Sequence, residues 1–173
     1  MNMKSVFLMT AGFFMGLSGQ LSIATAQEFN PNYVAPSHEI RIKEEVKLII
    51  ERYYTYFSAN QMDKFPTETH TIPWKILGTD RIYMSAEQSN ENYFGSFAAI
   101  KENDPEYKRS VFTIQDICVL SPRSALVSGY NTRRRTDDSI ITMMGTLYIL
   151  ELTDAGWRIN SFSGKPLDKV VSC

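Results

Sequence analysis

The sequence predicts an α+β domain, with N-terminal helices packed on a curved mixed or antiparallel sheet. Three observations carry that prediction. Apolar residues recur at spacings of three and four between 42 and 57, and again between 93 and 100. Three long runs rich in β-branched and aromatic residues, 109–120, 124–134 and 140–152, then follow one another through short polar connections. A turn at Asp154-Ala155-Gly156 leads into Trp157-Arg158-Ile159, a short closing strand. Helices first and strands afterwards differ from the alternation that builds a doubly wound parallel sheet.

The elements follow in order. Lys4, an apolar stretch over 6–17 and Ala24-Thr25-Ala26 have the layout of a cleaved export signal over 1–26. That stretch is shorter than the ~20 residues of a membrane span. The expected protein is therefore exported, periplasmic or secreted, and not stably inserted in a membrane. Residues 27–36 hold two prolines and two asparagines and read as a linker or arm. Domain 37–164 begins with Ser37 as a helix cap and Glu39 in the first turn. Ile42, Val46, Ile49, Ile50, Tyr53 and Phe57 give that helix, to about residue 59, one buried stripe.

A short second helix over 60–64 is expected to stop at Pro66. Extended runs at 74–77 and 81–85 flank a Gly78-Thr79-Asp80 turn. Ser89 reads as the cap of a helix reaching about 101, with Tyr93, Phe94, Phe97 and Ile100 on one side and Asn103-Asp104-Pro105 as its stop. Strict alternation over 109–120 puts Phe112, Ile114, Asp116, Cys118 and Leu120 on one face. Neither face of this run, or of 140–152, is purely polar. Helices can cover one side of the sheet, and a second copy of the chain is the simplest cover for the other, so a homodimer is expected. Residues 165–173 read as a flexible tail.

Particular residues resemble the nuclear transport factor 2-like superfamily, which includes SnoaL-like cyclases and ketosteroid isomerases. Tyr53-Tyr54-x-x-Phe57 followed by Asn60-Gln61-Met62-Asp63-Lys64 looks like that group's first helix and its exit. Ser124-Ala125-Leu126-Val127-Ser128-Gly129 and Gly156-Trp157-Arg158-Ile159 look like two of its strands. The resemblance covers 37–164 and implies a cone-shaped domain with a pocket between the first helix and the curved sheet. The superfamily carries unrelated chemistries on one scaffold, so fold is implied better than function.

With 18 basic and 19 acidic residues and a net charge of −1, no long-range field draws nucleic acid. Asp116 interrupts an apolar row; on an inner wall its pKa would rise and it could act as acid or base, whereas a bulge would turn it to solvent. Tyr54, Trp74, Tyr83 and Tyr148 are the expected aromatic wall of an apolar ligand pocket, or else plain core. The isomerase set would also need an early catalytic Asp, and only Asp80, in a turn, is near; that departure argues against isomerase chemistry. His70 reads as a hydrogen-bonded surface residue or a base. Arg133-Arg134-Arg135 with Asp137-Asp138 reads as a solvated turn, or as an anion-binding rim. Cys118 and Cys173 bond if the tail folds back; otherwise Cys118 is a buried thiol. Neither metal nor cofactor is expected. Two functions fit: a binding module for a small apolar ligand or a protein partner, or a cofactor-independent cyclase, isomerase or dehydratase using Asp116.

Overall fold

The computed structural model describes residues 30–173. The expected export signal over 1–26 and the first residues of the expected 27–36 arm lie outside the described residues. Helix α1 spans Pro36–Ser58. Pro36 sits in its first turn, where a missing N–H leaves nothing unpaired, and no side chain caps the end. Ser37 is therefore inside the helix rather than its cap. The stripe Ile42, Val46, Ile49, Ile50, Tyr53, Tyr54 and Phe57 is buried as the periodicity predicts.

After α1 a 3-10 turn, Met62–Lys64, runs into a π-helical turn, Phe65–Thr69. Pro66 starts that second turn instead of stopping the first, again at a position needing no donor. Strands β1 (His70–Ile76) and β2 (Ile82–Tyr83) form a small hairpin. Helix α2 covers Ala86–Asn103, and its cap is Ser85, whose Oγ accepts from the Gln88 N–H. Ser89, the expected cap, lies buried one turn further on and accepts from Trp74 Nε1 at 2.9 Å.

Strands β3 (Tyr107–Ser121), β4 (Ser124–Arg135), β5 (Ile140–Thr153) and β6 (Gly156–Lys165) complete a six-stranded sheet ordered β2-β1-β6-β5-β4-β3. The β1–β6 pair is parallel and the others antiparallel. The sheet is thus mixed and open, with β2 and β3 as edges, and α1 packs on its inner side against β3 and β6. The expected α+β architecture holds.

Two bulges bend it. On β3, Ile114 faces Gly129 and Asp116 faces Ser128, so Gln115 has no partner. One unpaired residue reverses the alternation. Phe112 and Ile114 face α1, and beyond the bulge it is Ile117 and Val119 that join the core. Asp116, Cys118 and Leu120 therefore leave the row that strict alternation assigned them and turn to the outer face. On β6, Asn160 is skipped in the same way between Ile159 and Ser161.

The outer face carries residues 165–173, expected as a flexible tail. Lys165 still belongs to β6, and a 3-10 turn, Leu167–Lys169, redirects the chain across the sheet. It passes over Gly145 of β5, where an added Cβ would sit 2.8 Å from the Pro166 carbonyl oxygen and 3.0 Å from Val170. Ser128 of β4 then donates to the Val171 carbonyl. At β3 the Cys173 N–H donates to Asp116 Oδ2 at 2.8 Å, and Cys173 is disulfide-bonded to Cys118 with Cα atoms 5.8 Å apart. The tail is a strap across three strands.

Candidate ligand cavity

A cavity of about 210 Å³ lies between α1, α2 and the inner face of the sheet. Its wall follows from the helix period and the strand period. Tyr53 and Tyr54 come from the buried stripe of α1, and Tyr93 from the buried side of α2. On β4 the inward row continues every second residue from Ala125 and Val127, through Gly129, to Asn131 and Arg133. On β5 it runs Leu150, Tyr148, Thr146, Met144. Exposed Arg81, Met144 and Gly164 mark the mouth, while the tyrosines are buried.

Two hydrogen-bonded systems organise the phenols. Tyr54 and Tyr148 share one bond, hydroxyl to hydroxyl, at 2.7 Å. Tyr93 bonds His70 Nε2 at 2.8 Å, and His70 Nδ1 meets Thr69 Oγ1 at 2.9 Å. The Thr69 hydroxyl donates onward to the Phe65 carbonyl. Both ring nitrogens are thus engaged, one as donor and the other as acceptor. Burial lowers the His70 pKa to about 3, so the ring is neutral. Burial also pushes Tyr53 up to about 12 and holds Tyr54, Tyr93 and Tyr148 well above the ordinary phenol range. All four phenols keep their protons at neutral pH.

Other lining groups lack protein partners. Asn131 Oδ1 and Thr146 Oγ1 are buried and unbonded among the described residues. Leaving such a group unsatisfied costs about 1–3 kcal/mol. Among the described residues the charged groups of the lining are Arg81 and Arg133, with no carboxylate. Arg133 was read within a run forming a solvated turn or an anion-binding rim, and the three arginines of that run have different surroundings. Arg134 donates to the Asp138 carbonyl, Arg135 pairs with Asp104 at 2.7 Å, and only Arg133 turns into the cavity.

The sequence-predicted residues divide. Tyr54 and Tyr148 line the cavity and touch each other. Trp74 and Tyr83 stand behind its wall: they stack at 4.3 Å, Trp74 also stacks on Tyr93 and Phe162, and the Tyr83 hydroxyl donates to Asn92 Oδ1. His70 is buried core, not surface. For Asp116 the catalytic reading fails and the bulge alternative holds. The Gln115 bulge sends it to the outer face, where Oδ1 accepts from the Ile117 N–H and Oδ2 from Cys173, so it touches nothing in the cavity. Tyr53, Tyr93, Asn131 and Thr146 were missed as lining, and Arg133 was read only with its neighbours, as a turn or an anion-binding rim. Counting by twos onward from Ala125 and Val127 would have found the two on β4.

Asp116, Cys118 and Cys173 also cluster closely enough to suggest metal ligands, but the two sulfurs are bonded to each other, which leaves one carboxylate. A wider, open groove of about 660 Å³ runs between α1 and β3, with Tyr54 and Ser110 forming the partition from the cavity. It carries charges of both signs, and Ser58 and Ser110 satisfy each other there.

The buried imidazole makes stability depend on pH. His70 titrates near 6.5 when unfolded and near 3 when folded, so the unfolded chain binds the extra proton between those values. Its contribution is complete above pH 6.5 and is lost as pH falls toward 3. Urea unfolding between pH 6.5 and 5 should show stability falling by up to about 1.4 kcal/mol per pH unit, and His70→Gln should flatten that slope. An equal slope in the variant would place the titration elsewhere.

Comparison with known proteins agrees with this architecture. Residues 43–166 match the family described as NTF2-like protein (DUF6841). The chain belongs to that NTF2-like family. No curated protein matches it. Among solved structures, an NTF2-like protein with a cystatin-like fold from Novosphingobium aromaticivorans superposes with a TM-score of 0.56 at 13% identity, over 77% of this chain and 88% of the other. A candidate dehydratase of the NTF2-like family from Streptomyces avermitilis gives 0.55 at 12% identity, over 75% and 98%. A ketosteroid isomerase-like protein from Erwinia carotovora atroseptica gives 0.50 at 14% identity, over 72% and 95%. At these identities the likeness is one of fold.

Proposed function

We propose that this NTF2-like domain is an exported small-molecule-binding module whose ligand occupies the tyrosine-lined cavity. The observation that carries the reading is the wall itself. It combines aromatic surface with Asn131, Thr146 and Arg133, polar groups that the described protein leaves without partners and that an entering molecule can satisfy. Export is supported by the leader-like segment and by the Cys118–Cys173 disulfide, since such bonds persist in oxidising compartments.

Binding is favoured over catalysis by what faces the ligand space. Among the described residues no carboxylate lines it, and the His70 ring is engaged at both nitrogens behind Tyr93. The names of the dehydratase and isomerase-like neighbours suggest proton-transfer chemistry, but the described residues of this wall offer no free base for it. Two-fold pairing through the outer face belongs to the same proposal. Leu120, Ile140 and Met143 stay exposed there beside the strap.

Native mass spectrometry of residues 27–173, purified from an exporting host, tests the reading. A dimer carrying a discrete extra mass, lost in Thr146→Trp, is the expected result. A bare protein that also fails to bind any small aromatic probe would sink the ligand-binding reading, and a bare monomer would sink the pairing.

A further inference from the structure

Resting on the reading that the cavity takes a ligand, we infer that this ligand is a small carboxylate: an apolar, ring-sized body with one anionic head held by Arg133.

The argument begins with charge. Around the β4–β5 connection, arginines are matched by acceptors almost one for one: Arg109 pairs with Asp138 at 2.9 Å, Arg135 with Asp104, and Arg134 with the Asp138 carbonyl. Arg133 stands among them, half-buried, with no ion pair or side-chain hydrogen bond among the described residues. The other cation of the lining, Arg81, is likewise unpaired and sits at the mouth. Among the described residues this space has two cations and no acid, which favours an anion, and a half-buried guanidinium without a partner gains most from one that can pair with it. The planar fork of arginine matches a carboxylate in two parallel hydrogen bonds, which a single phenol or amide cannot offer.

The neutral groups agree. Tyr54 and Tyr148 hold two hydroxyl protons but share a single bond, so one proton remains to donate elsewhere. Thr146 has a buried hydroxyl with no partner and can also donate. These donors suit an oxygen-rich head, while the rings of Tyr53, Phe57 and Phe162 suit an apolar body. At about 210 Å³ the space is smaller than the roughly 300–1,000 Å³ of drug-sized sites, which limits the body to about one ring with a short chain.

Matched pairs test the charge separately from the cavity: benzoate against benzamide, phenylacetate against phenylacetamide, and 3-phenylpropionate against its amide. Each is titrated into residues 27–173 by ligand-observed NMR. At least one acid should bind about tenfold or more tighter than its amide. Arg133→Gln should abolish that preference, Arg133→Lys should keep part of it, and Arg134→Gln should leave it intact. Should Arg133→Gln not fold, Arg133→Lys and the wild-type acid-to-amide ratio still decide. Amides that bind as tightly as their acids would overturn the carboxylate inference and leave the cavity reading standing. No binding by either member of any pair would overturn both.

Discussion

Gly129→Ala should destabilise the domain by about 3 kcal/mol, at the upper end of what one overpacked methyl usually costs. Gly129 faces Ile114 at the start of the β3 bulge. There the bent strand brings the Thr113 carbonyl over the glycine, well inside the van der Waals distance of any Cβ, and Phe112 Cζ would lie 2.9 Å away. A flexible side chain could swing aside, but a carbonyl fixed in the sheet moves only with its strand. The melting temperature should fall by roughly 10 °C for a domain of this size. Gly95 is the control: nothing lies within 4 Å of its Cβ position, and alanine suits a helix interior better, by up to about 1 kcal/mol. If Gly129→Ala melted within about two degrees of wild type, the bulge would have to be more yielding than this packing implies.

Breaking the Cys118–Cys173 bond should have an effect as large. The cysteines are 55 residues apart, and closing a loop of that length in the unfolded chain is worth about 4 kcal/mol on the loop-entropy model. Losing the bond also frees the strap, removing the cover of Ser128 and Gly145 and the Cys173 N–H from Asp116. Cys118→Ser and Cys173→Ser should therefore lower the urea midpoint equally. The double variant should lower it no further, because both single changes break the same link. Reductant should reproduce the loss in the wild type and do nothing to the variants. A wild-type midpoint indifferent to reductant would show that the strap is not stapled.

Much of this fold was legible because it rests on period and punctuation. The stripe of α1, the order of the sheet strands and the Asp154-Ala155-Gly156 turn follow from residue spacing, and the observed strands extend those expectations by a residue or two at most ends. The failures share a cause: a local rule lost to a tertiary demand. Ser89 has the chemistry of a cap, but Trp74 needs an acceptor inside the core, and Ser85 caps the helix one turn earlier. Pro66 ends ordinary helices but is harmless where no donor is required. For Asp116 alternation and a bulge were both open, and the unpaired residue immediately before it decides for the bulge.

The candidate site was legible only in part for the same reason. Tyr54 and Tyr148 stand out as aromatic residues on clear elements. Arg133 stood in a run of like residues that the hairpin treats differently, giving Arg134 and Arg135 partners and leaving Arg133 to the cavity. Trp74 and Tyr83 have the same aromatic character as the true lining, and only packing shows that Tyr93 and Phe162 stand in front of Trp74.

The unpaired Gln115 makes β3 indifferent to one residue's identity and intolerant of a change in residue number. Its side chain is exposed and it has no partner across the sheet, so inheritance can rewrite that position with little loss. Deleting it restores strict alternation, which would swing Asp116 and Cys118 into the apolar interior and carry Ile117 and Val119 out beneath the strap. Among descendants of this chain, position 115 should drift freely in composition while the distance between Ile114 and Asp116 stays constant.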